Sequence, residues 1–282
     1  MITNFFIKPH PAVAVFVDHY ILSTSGDEQV TFGGTWPASN ETSLVFYLAD
    51  KPEVYEVSVF GKENMNNANW VVGLLTRSNG LLSFQGVYKT FVVQFKANGF
   101  SKIFGLPVSE LTNNIFSGEA VFGQTAGVLH DKLLNANDVS QMAEFADHFL
   151  FHYLKKQKTI QINDGITAIA NQLLSGGKIL DVTDYASAAN MSLRNFERRF
   201  NEQVGTSPKF FFRLFRFNNT ILKKMRFPEK NWTVIAHECG YYDQMHLIKD
   251  FRNFADTTPT TFLQQNDGMQ DEQFVEVKRT HH

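Results

Sequence analysis

The sequence predicts an α+β protein, with an N-terminal mainly-β barrel or sandwich domain followed by an all-α C-terminal domain. Short apolar runs alternate with turn-rich pieces through roughly the first hundred residues, a pattern typical of β-rich domains. From Asp138 onwards, apolar residues recur every three or four positions, as in helices buried on one side. A segment near the C-terminus is repeated after 51 residues. The 282 residues suffice for two domains that each bury a core.

Six apolar runs in the N-terminal region are candidate strands, and their spacing is typical of a barrel or a sandwich. They are Ala12–Val17, Leu44–Leu48, Val54–Phe60, Trp70–Leu75, Leu81–Phe84 and Phe91–Phe95. Asn79-Gly80 lies between two of them and predicts a tight hairpin, because both residues tolerate positive φ. Phe100–Leu106 and Val108–Phe116 are expected to be short helices.

The helical patterns divide the rest of the chain. One apolar face runs from Met142 to Tyr153, a second runs from Ile162 to Leu173, and the basic stretch Lys155–Lys158 separates them. We therefore expect a β-rich domain at 1–130, a helical linker at 131–158, an all-α domain at 159–265 and a polar tail at 266–282.

The repeat predicts a duplicated supersecondary motif within the all-α domain. Phe200–Pro208 matches Phe251–Pro259, and another phenylalanine, Phe211 or Phe262, follows each copy three residues later. Each copy is expected to form a helix, a tight turn and a second helix, which is a homeodomain-like helix-turn-helix motif. The apolar segment Pro208–Phe227 predicts one long helix that connects the two copies.

Cap residues and apolar faces define the helices of each copy. Thr183 and Thr233 are predicted to cap the first helices. Ser192 is predicted to cap the second helix of the first copy, and Asp243 or a neighbour is expected to open that of the second copy. Each second helix should bury one face, formed by Leu193, Phe196 and Phe200 in the first copy and by Leu247, Phe251 and Phe254 in the second. The opposite faces are polar.

The charge distribution indicates nucleic acid as the partner of this domain. The net charge of the chain is −2, but the segment from Arg194 to Arg226 contains nine Arg and Lys residues and only two acidic residues. Such a local excess of positive charge is typical of a phosphate-binding surface. The second helix of a helix-turn-helix enters the major groove, where Arg, Lys and Gln read base edges. Two motifs on one connecting helix could reach successive groove turns about 34 Å apart.

Four segments of the all-α domain carry a family resemblance: Asp184–Phe200, Val204–Pro208, Ile235–Gln244 and Phe251–Phe262. With this spacing, residues 160–264 resemble the DNA-binding domain of the AraC family of transcription regulators. The resemblance implies a sequence-specific DNA-binding regulator. Thr90–Leu111 resembles, less specifically, the β-rich sensor domain of some members, which implies binding of a small-molecule effector or dimerisation.

The resemblance also implies which side chains contact DNA. The base contacts fall on Arg194, Glu197 and Arg198 in the first recognition helix, and on Gln244, Met245, His246 and Lys249 in the second. Met245 and His246 stand where small polar residues are usual, so the second motif is expected to read fewer bases. Phosphate contacts are expected from helix N-termini and the basic run, at Ser192, Arg199, Arg213, Lys223, Lys224 and Thr233.

The sequence carries no pattern that indicates catalysis, so no enzyme, metal or cofactor is expected. His148 and His152 are spaced like a metal-binding pair, but the sequence offers no third ligand nearby. The single cysteine, Cys239, excludes an internal disulfide and a cysteine-based zinc site, and it is expected to pack rather than react. A phosphate-binding glycine loop and a Gly-x-Ser-x-Gly motif are both absent from the sequence.

Two other hypotheses stay open. The first is a cupin-like enzyme, metal-free or metal-binding, with an attached helical interaction module. The second is an adaptor that no longer binds DNA. The chain lacks a signal-peptide pattern and an apolar run of about 20 residues, so we expect a cytoplasmic protein that does not contact membranes. The expected partners are double-stranded DNA, a small-molecule effector, a second copy of the chain and, for an activator, RNA polymerase.

Overall fold

A computed structural model describes residues 1–55, 67–157, 165–174, 181–266 and 273–277. The strands of this part of the chain are β1 (Thr3–Ile7), β2 (Val17–Thr35), β3 (Ser43–Tyr47), β4 (Glu53–Tyr55), β5 (Asn69–Val72), β6 (Leu81–Phe95), β7 (Ile115–Ser117) and β8 (Gln273–Val277). The helices are α1 (Gly99–Phe104), α2 (Gly118–Phe122), α3 (Gln124–Leu134), α4 (Val139–Leu154), α5 (Gly165–Leu174), α6 (Val182–Ala188), α7 (Leu193–Val204), α8 (Pro208–Arg226), α9 (Trp232–Glu238), α10 (Gln244–Ala255) and α11 (Pro259–Gln265).

The strands form one sheet in the order β7-β5-β3-β6-β2-β1-β8, and β4 also pairs with β6. The neighbours are antiparallel except for β1 and β8, which run parallel. The two longest strands, β2 and β6, pair along almost their whole length, with a register shift between Thr24 and Gln29. The α+β architecture with an N-terminal β-rich domain is confirmed. Within the expected polar tail, residues 273–277 form β8.

One hydrophobic core lies between this sheet and the helices α1, α3 and α4. Phe91, Val93 and Phe95 alternate along β6 and are buried, because every second side chain of a strand points to the same face. They belong to the same cluster as Leu129 of α3 and Leu150 of α4. Asp138, where the helical pattern of the sequence begins, caps α4, and its carboxylate accepts a hydrogen bond of 2.8 Å from Gln141 N.

Three local predictions in the N-terminal region are wrong. Residues 12–16 form turns, and the strand begins only at Val17. Asn79-Gly80 makes no two-residue hairpin, because the strand that follows it pairs with β2 and β3 rather than with the preceding β5. The segment Val108–Phe116 contains only a 3₁₀ turn at Val108–Glu110 and then enters β7. The predicted run Val54–Phe60 lies mostly outside the described residues.

A second core joins the helices α5 to α11. Its largest buried side chains are phenylalanines, including Phe196, Phe200, Phe217 and Phe251. Ala38 and Leu74 of the N-terminal domain belong to the same cluster, so the two domains pack against each other through apolar contacts. In the part of the chain that the structure describes, no helix is both long enough and apolar enough to cross a membrane.

Candidate nucleic-acid interface

The first helix-turn-helix consists of α6 and α7. Asn190 makes the turn in the left-handed conformation, with φ of 54°, and Met191 N donates to Ala186 O at 2.9 Å. Ser192 caps α7 as predicted, since its hydroxyl accepts from Asn195 N. Phe196 is buried as expected, with Phe200 beside it. Two details differ: α6 begins after Asp181 rather than at Thr183, and Leu193 is 41% exposed.

The second motif consists of α9 and α10 and repeats this geometry. Tyr241 N donates to Ala236 O at 2.9 Å, which matches the bond of the first turn, and Gly240 adopts φ of 79°. Of Asp243 and its neighbours, Asp243 itself caps α10, but Asn231 rather than the predicted Thr233 caps α9. The predicted inner face is buried in full, at Leu247, Phe251 and Phe254.

The two copies are offset by 50 residues in the first helices and by 51 in the second helices. Val182–Ala188 of α6 corresponds to Trp232–Glu238 of α9, and Leu193–Val204 of α7 corresponds to Gln244–Ala255 of α10. The second turn is therefore one residue longer than the first. The extra residue is Tyr242, which is 86% exposed just before the start of α10.

The outward faces of α7 and α10 carry the side chains expected to contact bases. Arg194, Glu197 and Arg198 are exposed on α7, and Gln244, Met245, His246 and Lys249 are exposed on α10. The structure thus brings each predicted set together on one recognition helix. On α7, the Arg198 guanidinium donates to Glu202 Oε1 at 2.7 Å and to Asn195 Oδ1 at 3.1 Å.

Two contacts orient the polar side chains at the start of α10. The Thr233 hydroxyl donates to Gln244 Oε1 at 2.9 Å, which joins the two helices of the second motif. The Asp243 carboxylate accepts from His246 N at 2.9 Å and lies 3.0 Å from His246 Nδ1. These hydrogen bonds, the one from the backbone N–H foremost, hold the pKa of Asp243 below its usual value.

The side chains predicted to contact phosphate differ in their exposure and in the intramolecular contacts that they make. Ser192 and Thr233 are exposed, and Arg199 is half-buried. Lys223 Nζ lies 2.8 Å from Glu238, whose pKa is lowered by hydrogen bonds from Lys223 and Lys230. Lys224 Nζ donates to the carbonyl oxygens of Pro228 and Lys230, at 2.6 and 2.7 Å.

Arg213, the remaining phosphate candidate, binds a buried carboxylate. Its Nε and Nη2 lie 2.7 and 2.6 Å from Asp250 Oδ1, and Asp250 is only 3% exposed. Tyr241 donates its hydroxyl to Asp250 Oδ2 at 3.0 Å, and Arg216 Nη2 lies 3.9 Å from the same oxygen. Burial and the adjacent Asp250 raise the pKa of Tyr241.

Sequence reasoning misses the network around Asp250. It joins α8, the second turn and α10, so its members are far apart along the chain. The sequence signal is an acidic residue on the otherwise apolar inner side of α10, three positions after Leu247. Such a residue is rarely buried unless it is paired, and this would have pointed to a basic partner.

The N-terminal domain contacts both motifs. The Thr112 hydroxyl donates to Gly205 O at 2.7 Å, directly after α7, and the Asn98 amide donates to Gln203 Oε1 at 3.1 Å. At the second motif, Ala38 N donates to Phe254 O at 2.7 Å. Both recognition helices are therefore held at their C-terminal ends by the sheet domain.

The described residues contain no group of three or more His, Cys, Asp or Glu side chains placed to hold a metal ion. His148 and His152 are both exposed on α4, and Cys239 is half-buried at the end of α9. The Asp147 carboxylate next to this histidine pair accepts hydrogen bonds from Tyr20 and from His10 N.

The comparison with protein families decides the class of the C-terminal domain. Residues 185–265 match the family described as a helix-turn-helix domain, and this range covers both motifs. The C-terminal region is an AraC-type helix-turn-helix domain. The protein is accordingly a DNA-binding transcription regulator. Residues 6–117 match a second family, described as a domain of unknown function, DUF6597.

Several solved structures are similar to this chain over most of its length. ToxT from Vibrio cholerae O395 is 12% identical, with a TM-score of 0.45 over 86% of this chain and 98% of that one. Wild-type ToxT from Vibrio cholerae strain SCE256, solved with an unsaturated fatty acid bound, is 13% identical, with a TM-score of 0.46 over 95% of this chain and 96% of that one. No curated protein matches the chain.

Proposed function

We propose that the protein recognises a specific DNA sequence through α7 and α10, and that α7 supplies the larger share of the specificity. The observation that carries this proposal is the exposed pair Arg194 and Arg198 on the outward face of α7. Arginine binds guanine through two hydrogen bonds, to O6 and N7, and this is the commonest specific contact in the major groove. Glu197 between them can accept a hydrogen bond from cytosine N4.

The contacts of Arg198 support its role as a base-reading side chain. Asn195 Oδ1 accepts from the Arg198 guanidinium on the same helix face, and this contact can restrict the side chain before DNA binds. The Arg198–Glu202 pair is exposed, and exposed ion pairs are weak, so the guanidinium can exchange Glu202 for a guanine edge at little cost.

The outward face of α10 supports fewer polar base contacts. The Thr233 hydroxyl orients the Gln244 amide, which suits the two-hydrogen-bond contact of glutamine with adenine. Met245 is 69% exposed and offers an apolar contact to a thymine methyl group. His246 and Lys249 complete this set of four side chains.

The phosphate contacts are proposed to fall into two groups. Ser192 and Thr233 lie at the starts of α7 and α9, where helix N-termini favour an anion, and Arg199 lies beside the base-reading face. Lys223 and Lys224 make intramolecular contacts but keep further N–H donors. We propose that Arg213 acts chiefly by holding Asp250 and so positioning α10.

A binding-site selection with the full-length chain tests the proposal, because a random duplex pool should yield one enriched sequence. Arg198→Ala should then weaken binding to that sequence by about 1–3 kcal/mol and relax the preference at one base pair. Arg226→Ala is the matched control, since it removes the same charge from an exposed position at the end of α8. It should weaken all duplexes alike. A pool without an enriched sequence would refute the proposal.

We further propose that the N-terminal domain regulates DNA binding by sensing a small molecule or by pairing with a second copy of the chain. The contacts of Thr112 with Gly205 and of Ala38 with Phe254 support this role, because they link the sheet to both recognition helices. RNA polymerase is a further proposed partner if the protein is an activator. A regulator of this type acts where the DNA is, so we place it in the cytoplasm of a bacterium, without catalytic activity.

A further inference from the structure

The imidazole ring of His246 lies in the first turn of α10, on the outward face of the helix. Its side chain is 61% exposed. Nδ1 lies 3.0 Å from Asp243 Oδ1, the oxygen that also accepts a hydrogen bond from His246 N at 2.9 Å. Within the part of the chain that the structure describes, Nε2 of the ring has no hydrogen-bond partner. The protein thus engages one ring nitrogen, and the other can contact DNA.

The cap of α10 determines which ring nitrogen carries the proton. An ionised carboxylate only accepts hydrogen bonds, so Nδ1 must be protonated to bind Asp243. The hydrogen bond from His246 N lowers the pKa of Asp243, which keeps this carboxylate ionised in mild acid. In the neutral ring Nε2 is then an acceptor, and in the protonated ring it is a donor. The contact at Nδ1 is the same in both states.

The surroundings of the ring contain few other charges. In the described part of the chain, Asp243 is the only charged side chain that pairs with the imidazole, and His237 and Glu238 of the adjacent α9 do not. The Tyr242 ring lies edge-on to it, with the centroids 6.2 Å apart. Lys249 follows three positions later on the same helix face. Tyrosine and lysine ordinarily keep their protons below about pH 8, whereas histidine titrates between about pH 5 and 8.

We infer that His246 makes the base preference of the second helix-turn-helix depend on pH. The inference deepens the proposed recognition of DNA by α10 and rests on it. An unprotonated Nε2 accepts a hydrogen bond from the amino group of adenine or cytosine, whereas a protonated Nε2 donates to O6 or N7 of guanine. The second contact carries a positive charge, and charge-assisted hydrogen bonds are the stronger ones. The preferred base at this position therefore changes to guanine in acid.

The charge of the Asp243–His246 pair also makes DNA binding depend on pH. The Asp243 side chain is 44% exposed at the start of the base-reading helix. With a neutral imidazole the pair has a charge of −1, which opposes approach to the phosphates, and protonation of the ring removes this net charge. DNA therefore favours the protonated ring, and the affinity for duplexes with guanine at this position should rise most as the pH falls.

Binding-site selection with the full-length chain, at about pH 8 and at about pH 5.5, tests the inference. The two enriched sequences should differ at one position within the α10 half of the site, where adenine or cytosine gives way to guanine in acid. The Kd for a duplex with guanine at this position should fall about ten-fold between the two pH values. The Kd for the duplex with adenine should change about three-fold or less.

Two exposed histidines provide the variant and its matched control. His246→Gln carries a donor and an acceptor at every pH, so it should prefer adenine at both pH values and lose the ten-fold change in Kd. His237→Gln removes an exposed histidine from α9 in the same motif, and it should keep the pH dependence of the wild type. Loss of the pH dependence in His237→Gln, or its persistence in His246→Gln, would overturn the inference.

The position of the proton can be measured without DNA. The nitrogen chemical shifts of the His246 ring at about pH 8, assigned by comparison with His246→Gln, should show the proton on Nδ1. A proton on Nε2 would overturn the inference. An enriched sequence with the same base at both pH values would refute the role of His246 and leave the proposed DNA recognition intact. A pool without an enriched sequence at either pH would refute that recognition itself.

Discussion

Replacing Asp250 by asparagine should destabilise the second helix-turn-helix, because it removes the one negative charge at the centre of a buried network. The carboxylate accepts two N–H groups from Arg213 and the hydroxyl of Tyr241, and it also lies near Arg216. The asparagine has nearly the same shape and still accepts from Tyr241. The loss of stability therefore measures the contribution of the negative charge, because the substitution leaves no cavity.

The magnitude follows from the burial of the network. Removing one partner of a buried ion pair costs about 3–5 kcal/mol. The side chains of Arg213 and Arg216 are 35% and 30% exposed, so water recovers part of their interaction. We therefore expect the lower end of the range, about 3 kcal/mol. At about 2–4 °C for each kcal/mol, the melting temperature should fall by about 6–12 °C.

Thermal unfolding of the full-length chain, followed by helical circular dichroism, measures this effect. Glu202→Gln is the matched control, because it makes the same change of charge in an exposed pair with Arg198. Its cost should stay below about 1 kcal/mol. The reasoning is refuted if Asp250→Asn lowers the melting temperature no more than the control does. The affinity of the variant for the selected duplex should fall as well, since Asp250 fixes α10 against α8.

Three further predictions concern the recognition helices. Gly205→Ala should lower the free energy of unfolding by at least about 1–2 kcal/mol in urea titrations, because Gly205 has φ of 97° and an added Cβ would lie 2.5 Å from Thr112 Oγ1. Phe196→Ala should cost about 3–5 kcal/mol in the same assay, since the ring is fully buried. The Asp243 cap has a lowered pKa, so its stabilisation is present above its ordinary pKa of 3.8 and is lost as the pH falls through the lower folded value. Asp243→Asn, followed by circular dichroism in acid, should lose this dependence while keeping the cap.

The helices of the DNA-binding domain could be predicted from the sequence because their signals are local. Ser192 caps α7, and the pair Ser207-Pro208 starts α8, as the sequence indicates. The predicted caps of α6 and α9 are wrong because several polar residues stand close together at both starts. Asn231 and Thr233 are both good caps, and the choice depends on Trp232, which packs on Phe251 at 5.3 Å and so belongs to the first turn of α9.

The arrangement of the sheet could not be predicted in the same way. Alternation along β6 identifies which side chains face the core, but it does not identify the neighbouring strands. The structure pairs β6 with β2, β3 and β4, so the tight hairpin predicted at Asn79-Gly80 has no adjacent partner strand. Long-range pairing of this kind depends on the whole chain rather than on a turn signal.

The duplication explains why the two recognition helices depend on different parts of the molecule. At the offsets of 50 and 51 residues, Met191 and Arg199 of the first copy correspond to Tyr241 and Asp250 of the second. The network that ties α10 to α8 therefore cannot form at α7. The contacts that hold the end of α7 instead include Thr112 and Asn98 of the sheet domain. The position of α7 thus depends on the contacts with Thr112 and Asn98, whereas the Asp250 network also holds α10 to α8. A change in domain packing should therefore first affect α7, the helix that we propose supplies the larger share of the specificity.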